Sequence, residues 1–104
     1  MMDQTTPLGK LGFERLRPIT QDIVEQYDLN PNWGVLVLQV RPYSAVAAAG
    51  IARGHIITQV YGARVENVEQ LRREINKHDV SEGVRLRVAV PGGPGRFLLL
   101  TLEP

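Results

Sequence analysis

The stretch with the clearest chemical possibility is Leu11-Gly12-Phe13. A glycine between two large apolar residues, at the start of a strand-like run, lets backbone rather than side chain face a partner. Successive N–H groups at such a turn present positive potential to an anion without a mobile side chain. Lys10, just before, adds a charge to the same place. The anion that suits backbone donors beside an extended strand is the carboxylate at the C-terminal end of another polypeptide.

Other chemistry finds little support. His55 and His78 are far apart and lack acidic neighbours at metal-ligand spacing. Ser44 reads as a helix cap and Ser81 as a loop residue, neither in a nucleophile-elbow context. With no cysteine, thiolate nucleophiles, disulfides and cysteine zinc sites are ruled out. No catalytic residues, no metal and no cofactor are therefore expected. The 104 residues suffice for one domain. Hydrophobic residues make up 43% and charged residues 22%, which marks a globular chain. The 12 basic against 11 acidic side chains argue against a nucleic-acid footprint or a polybasic membrane anchor. No apolar run approaches the ~20 residues of a membrane span, and Met1-Met2-Asp3-Gln4 does not resemble a signal peptide. The doubled Met is expected to mark the start of an excised domain.

These residues must be held by surrounding elements. Residues 1–10 are polar, with Pro7 and Gly9, and are expected to form a flexible lead-in to a single domain over 11–104. Residues 11–16 read as a strand with broken alternation. Phe13 and Leu16 are three apart, so either both faces are covered or a bulge resets the phase. Thr20 is placed to cap a helix with Asp22 in its first turn and Ile23, Val24 and Tyr27 as its apolar stripe. Asn30-Pro31-Asn32 reads as a turn. Residues 34–40, rich in β-branched side chains, read as a buried strand. Trp33 before it is expected to be partly exposed at the rim.

Ser44 caps a short alanine-rich helix over 45–49, closed by Gly50. Residues 56–61 are a strand, Gly62-Ala63 a turn, and Val65 the start of a short return strand. Asn67 with Gln70 gives a capping-box pattern for a helix over 68–77. Its Val68, Leu71, Arg72 and Ile75 share one side, and Glu69 is in reach of Arg73 at i+4. Residues 84–90 alternate as a half-buried strand, Pro91–Gly95 turns, and 96–103 returns. The expected class is α+β, mostly β: a five- to six-stranded partly open barrel or sandwich capped by two helices.

This order of elements resembles a PDZ domain, and in particular those following the protease domain in bacterial HtrA/Deg-type serine proteases. The similarity covers about residues 8–103. That family shows a Gly-Val strand, a Gly-Ser-Pro-Ala helix start, an Ala-Gly-Leu turn, a Gly-Asp-Val-Ile strand start and an Asn-Gly turn. Here Gly34-Val35, Tyr43-Ser44-Ala45-Val46, Ala49-Gly50-Ile51, Gly54-His55-Ile56-Ile57 and Tyr61-Gly62 stand at those places. The strand order is that of the permuted bacterial type, with the binding strand first. Three departures stand out: His55 replaces an acidic residue, the segment from Gly12 to the first helix is about one residue long, and Arg72 occupies a helix position where smaller residues are common.

The resemblance implies that Lys10-Leu11-Gly12-Phe13 stands in place of the family's carboxylate-binding loop. The amides of Gly12 and Phe13 would be the main donors, with Leu11 next. A peptide would add as a strand along Phe13, Glu14, Arg15, Leu16 and Arg17, the strand-addition mode of such domains. Leu11, Phe13, Leu71 and Ile75 would line the pocket for its last side chain. They would equally be core residues in any fold of this kind. Val68 would face the residue two before the end, and Arg72 would cover the peptide or pair with an acid. The implied function is a peptide-binding module of an HtrA-like protease, taking hydrophobic C-terminal peptides or misfolded proteins and acting with the protease domain of the same chain.

The fragment itself is expected to be inert as an enzyme and monomeric within an oligomeric parent. The implied location is the periplasm or cell envelope, without direct membrane insertion or nucleic acid. The alternatives are an assembly or interdomain contact module, or a PDZ domain of an intramembrane metalloprotease or secretion-system protein.

Overall fold

β-branched runs, caps and glycine turns give the element order. The computed structural model describes residues 7–27, 33–77, 83–90 and 96–100. In sequence, they form α1 (Pro7–Leu11), β1 (Phe13–Pro18), α2 (Gln21–Tyr27), β2 (Val35–Val40), α3 (Ala45–Ala48), β3 (Ile56–Val60), β4 (Ala63–Arg64), α4 (Val68–Asn76), β5 (Val84–Ala89) and β6 (Arg96–Leu100). The strands make one antiparallel sheet in the order β1-β2-β3-β5-β6, with β4 paired to β3. The sheet is open, with β1 and β6 at its two ends. The mostly-β expectation holds. The helices number four among the described residues, where two main ones and one small one were expected. The expected turns at Asn30-Pro31-Asn32 and Pro91–Gly95, and His78 and Ser81, lie outside the described residues.

Both faces of the sheet are covered near β2, which explains its unbroken apolar run. Val35 and Val37 join Ile57, Val60, Leu71, Ile75, Leu86 and Val88 in the main core. Leu36 and Ile56 point the other way and meet Ile23 of α2 in a second, smaller cluster.

The broken alternation of β1 is resolved by bulges. Between Phe13↔Val40 and Arg15↔Gln39, β1 carries one extra residue; between Arg15↔Gln39 and Leu16↔Val37, β2 does. The two irregularities compensate, so Pro18 still faces Val35. Phe13 and Leu16 both reach the main core, although they are three positions apart.

Residues 7–10 depart from the expected lead-in. They belong to α1, and Leu8 and Leu11 lie in the core at 2% and 0% exposure. Pro and Gly are poor helix formers. Burial of two leucines at i, i+3 outweighs that propensity here.

The caps fall where the residue types place them. Thr20 Oγ1 accepts from Ile23 N at 3.3 Å, and Ser44 Oγ accepts from Ala47 N at 3.2 Å. Asn67 Oδ1 accepts from Gln70 N at 2.8 Å. The reciprocal arm of that box is displaced by one residue: Gln70 Oε1 accepts from Glu66 N at 2.7 Å. Glu69 pairs with Arg72 at i+3 rather than with Arg73, and Glu74 pairs with Lys77.

Tyr43 is fully exposed and has φ of 61°. It follows Pro42 in the turn into α3, at the place such a turn gives to glycine. An L-residue pays about 1–2 kcal/mol for left-handed backbone, and glycine recovers part of that at an entropic cost. Tyr43→Gly is accordingly expected to raise stability by about 0.5–1 kcal/mol. A urea titration reads this as a higher midpoint at unchanged slope. A lower midpoint would mean that the tyrosine ring makes stabilising contacts.

Candidate functional site

The sequence-expected residues converge on the β1 end of the sheet. β1 is paired on one side only, to β2, so among the described residues its other edge carries no strand. The helix α4 packs against α1 and β1 on this side. The first strand and the Asn67-capped helix expected to flank a groove therefore lie side by side.

At the start of β1, Gly12 does two jobs. Its φ of 112° ends α1, and its N–H donates to the carbonyls of Leu8 (3.2 Å) and Gly9 (3.1 Å). Its carbonyl accepts from Arg41 N at 2.7 Å. A Cβ at this position would lie 2.2 Å from Ser44 Cβ, so glycine also lets the turn into α3 close against the loop. The Gly12 amide, expected as a main carboxylate donor, is thus engaged by α1 in this conformation. Offering it to a ligand requires the last turn of a five-residue helix to loosen. Lys10, in that last turn, is exposed.

The four residues expected to line the terminal pocket are brought together, but as core. Leu11, Phe13, Leu71 and Ile75 are each 0% exposed. Val68 and Leu16 are half-buried and pack on the same core. Admitting a ligand side chain among them requires α4 and β1 to part. Glu14 accepts a hydrogen bond from Gln39 Nε2 at 2.8 Å, and Arg15 is exposed. Arg72 is exposed and held on its own helix by Glu69 at 2.5 Å. That hydrogen-bonded guanidinium keeps the Glu69 carboxyl below its usual range.

Sequence reasoning missed Leu8 and Ser44 as supports of the loop. The i, i+3 spacing of Leu8 and Leu11 was the available signal. Ser44 was read only as a cap, while its Oγ also donates to Arg41 O at 2.6 Å. His55, expected to depart from an acidic position of the family pattern, supplies an acceptor: its Nδ1 receives Ala52 N–H at 3.2 Å. Trp33 is partly exposed, with the Arg64 guanidinium 3.8 Å over its ring. No group of metal-ligating side chains occurs among the described residues, and no described helix is long and apolar enough to cross a membrane.

An open antiparallel sheet with a half-paired first strand, a glycine loop at its head and a capped helix alongside is the architecture of a PDZ domain. The chain is a PDZ domain, and it resembles those of HtrA/Deg-type serine proteases. No family model matches the chain. It is 35% identical over 99 residues to the probable periplasmic serine endoprotease DegP-like of Chlamydia trachomatis, covering 94% of this chain and 19% of that protein. It superposes on the HtrA3 PDZ domain bound to a phage-derived ligand (FGRWV) with a TM-score of 0.74 and 25% identity, over 89% of this chain and 83% of that one. The HtrA-type protease AlgW with decapeptide gives a TM-score of 0.74 at 19% identity, over 90% of this chain and 29% of that one. The chain thus spans about a fifth of its DegP-like relative, and what it corresponds to there is a non-catalytic PDZ module.

Proposed function

We propose that this domain is the peptide-binding module of an HtrA-like serine protease in the bacterial periplasm. It takes hydrophobic C-terminal tails by strand addition to β1 and thereby recruits substrate or regulates the protease. The observation that carries this reading is the half-paired β1 edge with α4 beside it. The peptide-bound state of the HtrA3 and AlgW neighbours supports it.

Main-chain pairing is blind to sequence, so selectivity falls to the cluster of Leu11, Phe13, Leu71 and Ile75 and to Val68. The terminal residue preferred is Val, Leu, Ile or Phe, with an apolar residue two positions earlier. Because that cluster is closed in the free domain, opening it draws on the binding energy, and affinity is expected in the micromolar range, about −8 kcal/mol.

A hydrophobic free-acid peptide and its amidated twin test this by calorimetric titration. The free acid is expected to bind at least about tenfold tighter, because charge-assisted bonds to the loop amides are lost on amidation. Equal binding, or no binding of either across a peptide library, removes the carboxylate-loop assignment. The closed cluster favours a second reading, in which the domain is an assembly or interdomain contact module. Sedimentation of the parent with and without this domain separates the two.

A further inference from the structure

β1 turns one set of side chains toward α4 and the main core and another set away from it. Phe13 and Leu16 belong to the first set. Arg15 and Arg17 flank Leu16 in the strand and therefore project from the opposite face. The register agrees. Arg17 stands opposite Leu36, which belongs to the second cluster under α2, and Arg15 stands opposite Gln39. Leu36 is covered by Ile23, but both arginines are exposed, on the strand whose far edge is unpaired among the described residues.

Both guanidinium groups are available. Among the described residues, neither Arg15 nor Arg17 takes part in an ion pair or a side-chain hydrogen bond. The one acid of β1 is Glu14. It accepts from Gln39 Nε2 at 2.8 Å, which draws its carboxylate toward β2 and away from the unpaired edge.

We propose that Arg15 and Arg17 make β1 selective for tails that alternate apolar and acidic residues, with the apolar ones last and third from last and the acids second and fourth from last. The proposal rests on the strand-addition reading of β1. An extended peptide sends successive side chains to opposite faces. A tail that turns its last and third-last side chains toward α4 turns the second- and fourth-last to the other face, where the arginines are. Along β1, Arg15 lies between Phe13 and Leu16, and Arg17 lies beyond them. An antiparallel tail running back from the loop at Gly12 therefore passes Arg15 with its second-last residue and Arg17 with its fourth-last. Two positions span roughly 6.5–7 Å on either strand, so both pairs can form at once. Opposite charges facing each other across antiparallel strands are favourable and like charges unfavourable. The same two arginines thus favour an acidic tail and reject a basic one.

The test uses the 104-residue chain and three acetylated free-acid peptides, alike except that they end in Glu-Val-Glu-Val, Gln-Val-Gln-Val or Lys-Val-Lys-Val. Fluorescence anisotropy at low salt is expected to rank them in that order. The step from Glu to Gln is expected to cost about fivefold in affinity, the scale of two exposed ion pairs, and to shrink as salt rises. Charge reversal in R15E/R17E is expected to invert the order, so that the lysine peptide binds tightest. If that variant does not fold, R15Q/R17Q is expected to bring the glutamate peptide down to the level of the glutamine peptide. A peptide with glutamate at the second-last position alone is expected to lose its advantage in R15Q and keep it in R17Q. Equal binding of the three peptides to the unaltered chain overturns this proposal and leaves the groove reading standing. So does an unchanged ranking in the arginine variants, which would place the selecting charge elsewhere. Failure of all three peptides to bind removes the groove reading and this proposal with it.

Discussion

Gly12→Ala is expected to lower the stability of the domain by about 3 kcal/mol, combining about 1–2 kcal/mol of backbone strain with about 1–3 kcal/mol of overpacking. The backbone part arises because φ there is 112°, where only glycine is at ease. The packing part arises because the new methyl would sit 2.2 Å from both Cβ and Oγ of Ser44. Ser44 cannot easily retreat. Its hydroxyl donates to Arg41 O and accepts from Ala47 N, so moving it uncaps α3 and opens the turn at Pro42. Urea unfolding measures the loss. A double-mutant cycle with Ser44→Gly isolates the packing share, because removing the Ser44 side chain relieves the overlap and leaves the strain. A loss below about 1 kcal/mol, or additivity in the cycle, would mean that the loop does not close on α3.

Phe13→Ala is expected to cost about 3–5 kcal/mol, the range for emptying a well-packed aromatic site. Phe13 is wholly buried, and it packs in the same cluster as Leu11, Leu71 and Ile75. The measurement also reports on the groove. If those four residues stay closed in the free domain, truncating Phe13 leaves a cavity and the full cost appears. If the groove stands open and hydrated in solution, Phe13 is part of a pocket wall and the loss falls to about 1 kcal/mol, near the average for any substitution. The size of the effect therefore decides whether ligand entry has to open the domain.

Much of this arrangement was legible in the residues. Thr20, Ser44 and Asn67 announced three helix starts because a short polar side chain before an apolar stripe has one good use there. The three-position spacing of Phe13 and Leu16 left two possibilities, both faces covered or a bulge, and the register decides for the bulge. What was not legible depends on tertiary packing. α1 forms from Pro, Leu, Gly, Lys and Leu against local propensity, because Leu8 and Leu11 are buried. Arg72 rather than Arg73 takes Glu69, a choice between i+3 and i+4 that side-chain rotamers make after the helix has formed. The candidate site divides in the same way. Its members could be named from the sequence and are together in space, but whether four apolar side chains form a pocket or a core depends on the separation of α4 and β1. The row of Arg64, Gln59 and Arg87 lay beyond reach altogether, because it exists only through the register of three strands.

The compensating bulges of the β1–β2 pair bear on solubility. A strand that leaves one edge unpaired invites any other strand, including the same strand of a second copy, and long flat edges polymerise. Here the edge is neither long nor flat. The two bulges interrupt it on either side of Arg15, Arg15 and Arg17 are exposed along it, and Pro18 ends it without an N–H to give. Two copies meeting edge to edge would oppose arginine to arginine over a kinked ladder. Under the proposed function, a short, flexible tail could follow those kinks where a rigid sheet could not, so the same irregularity would separate a loose peptide end from a folded neighbour.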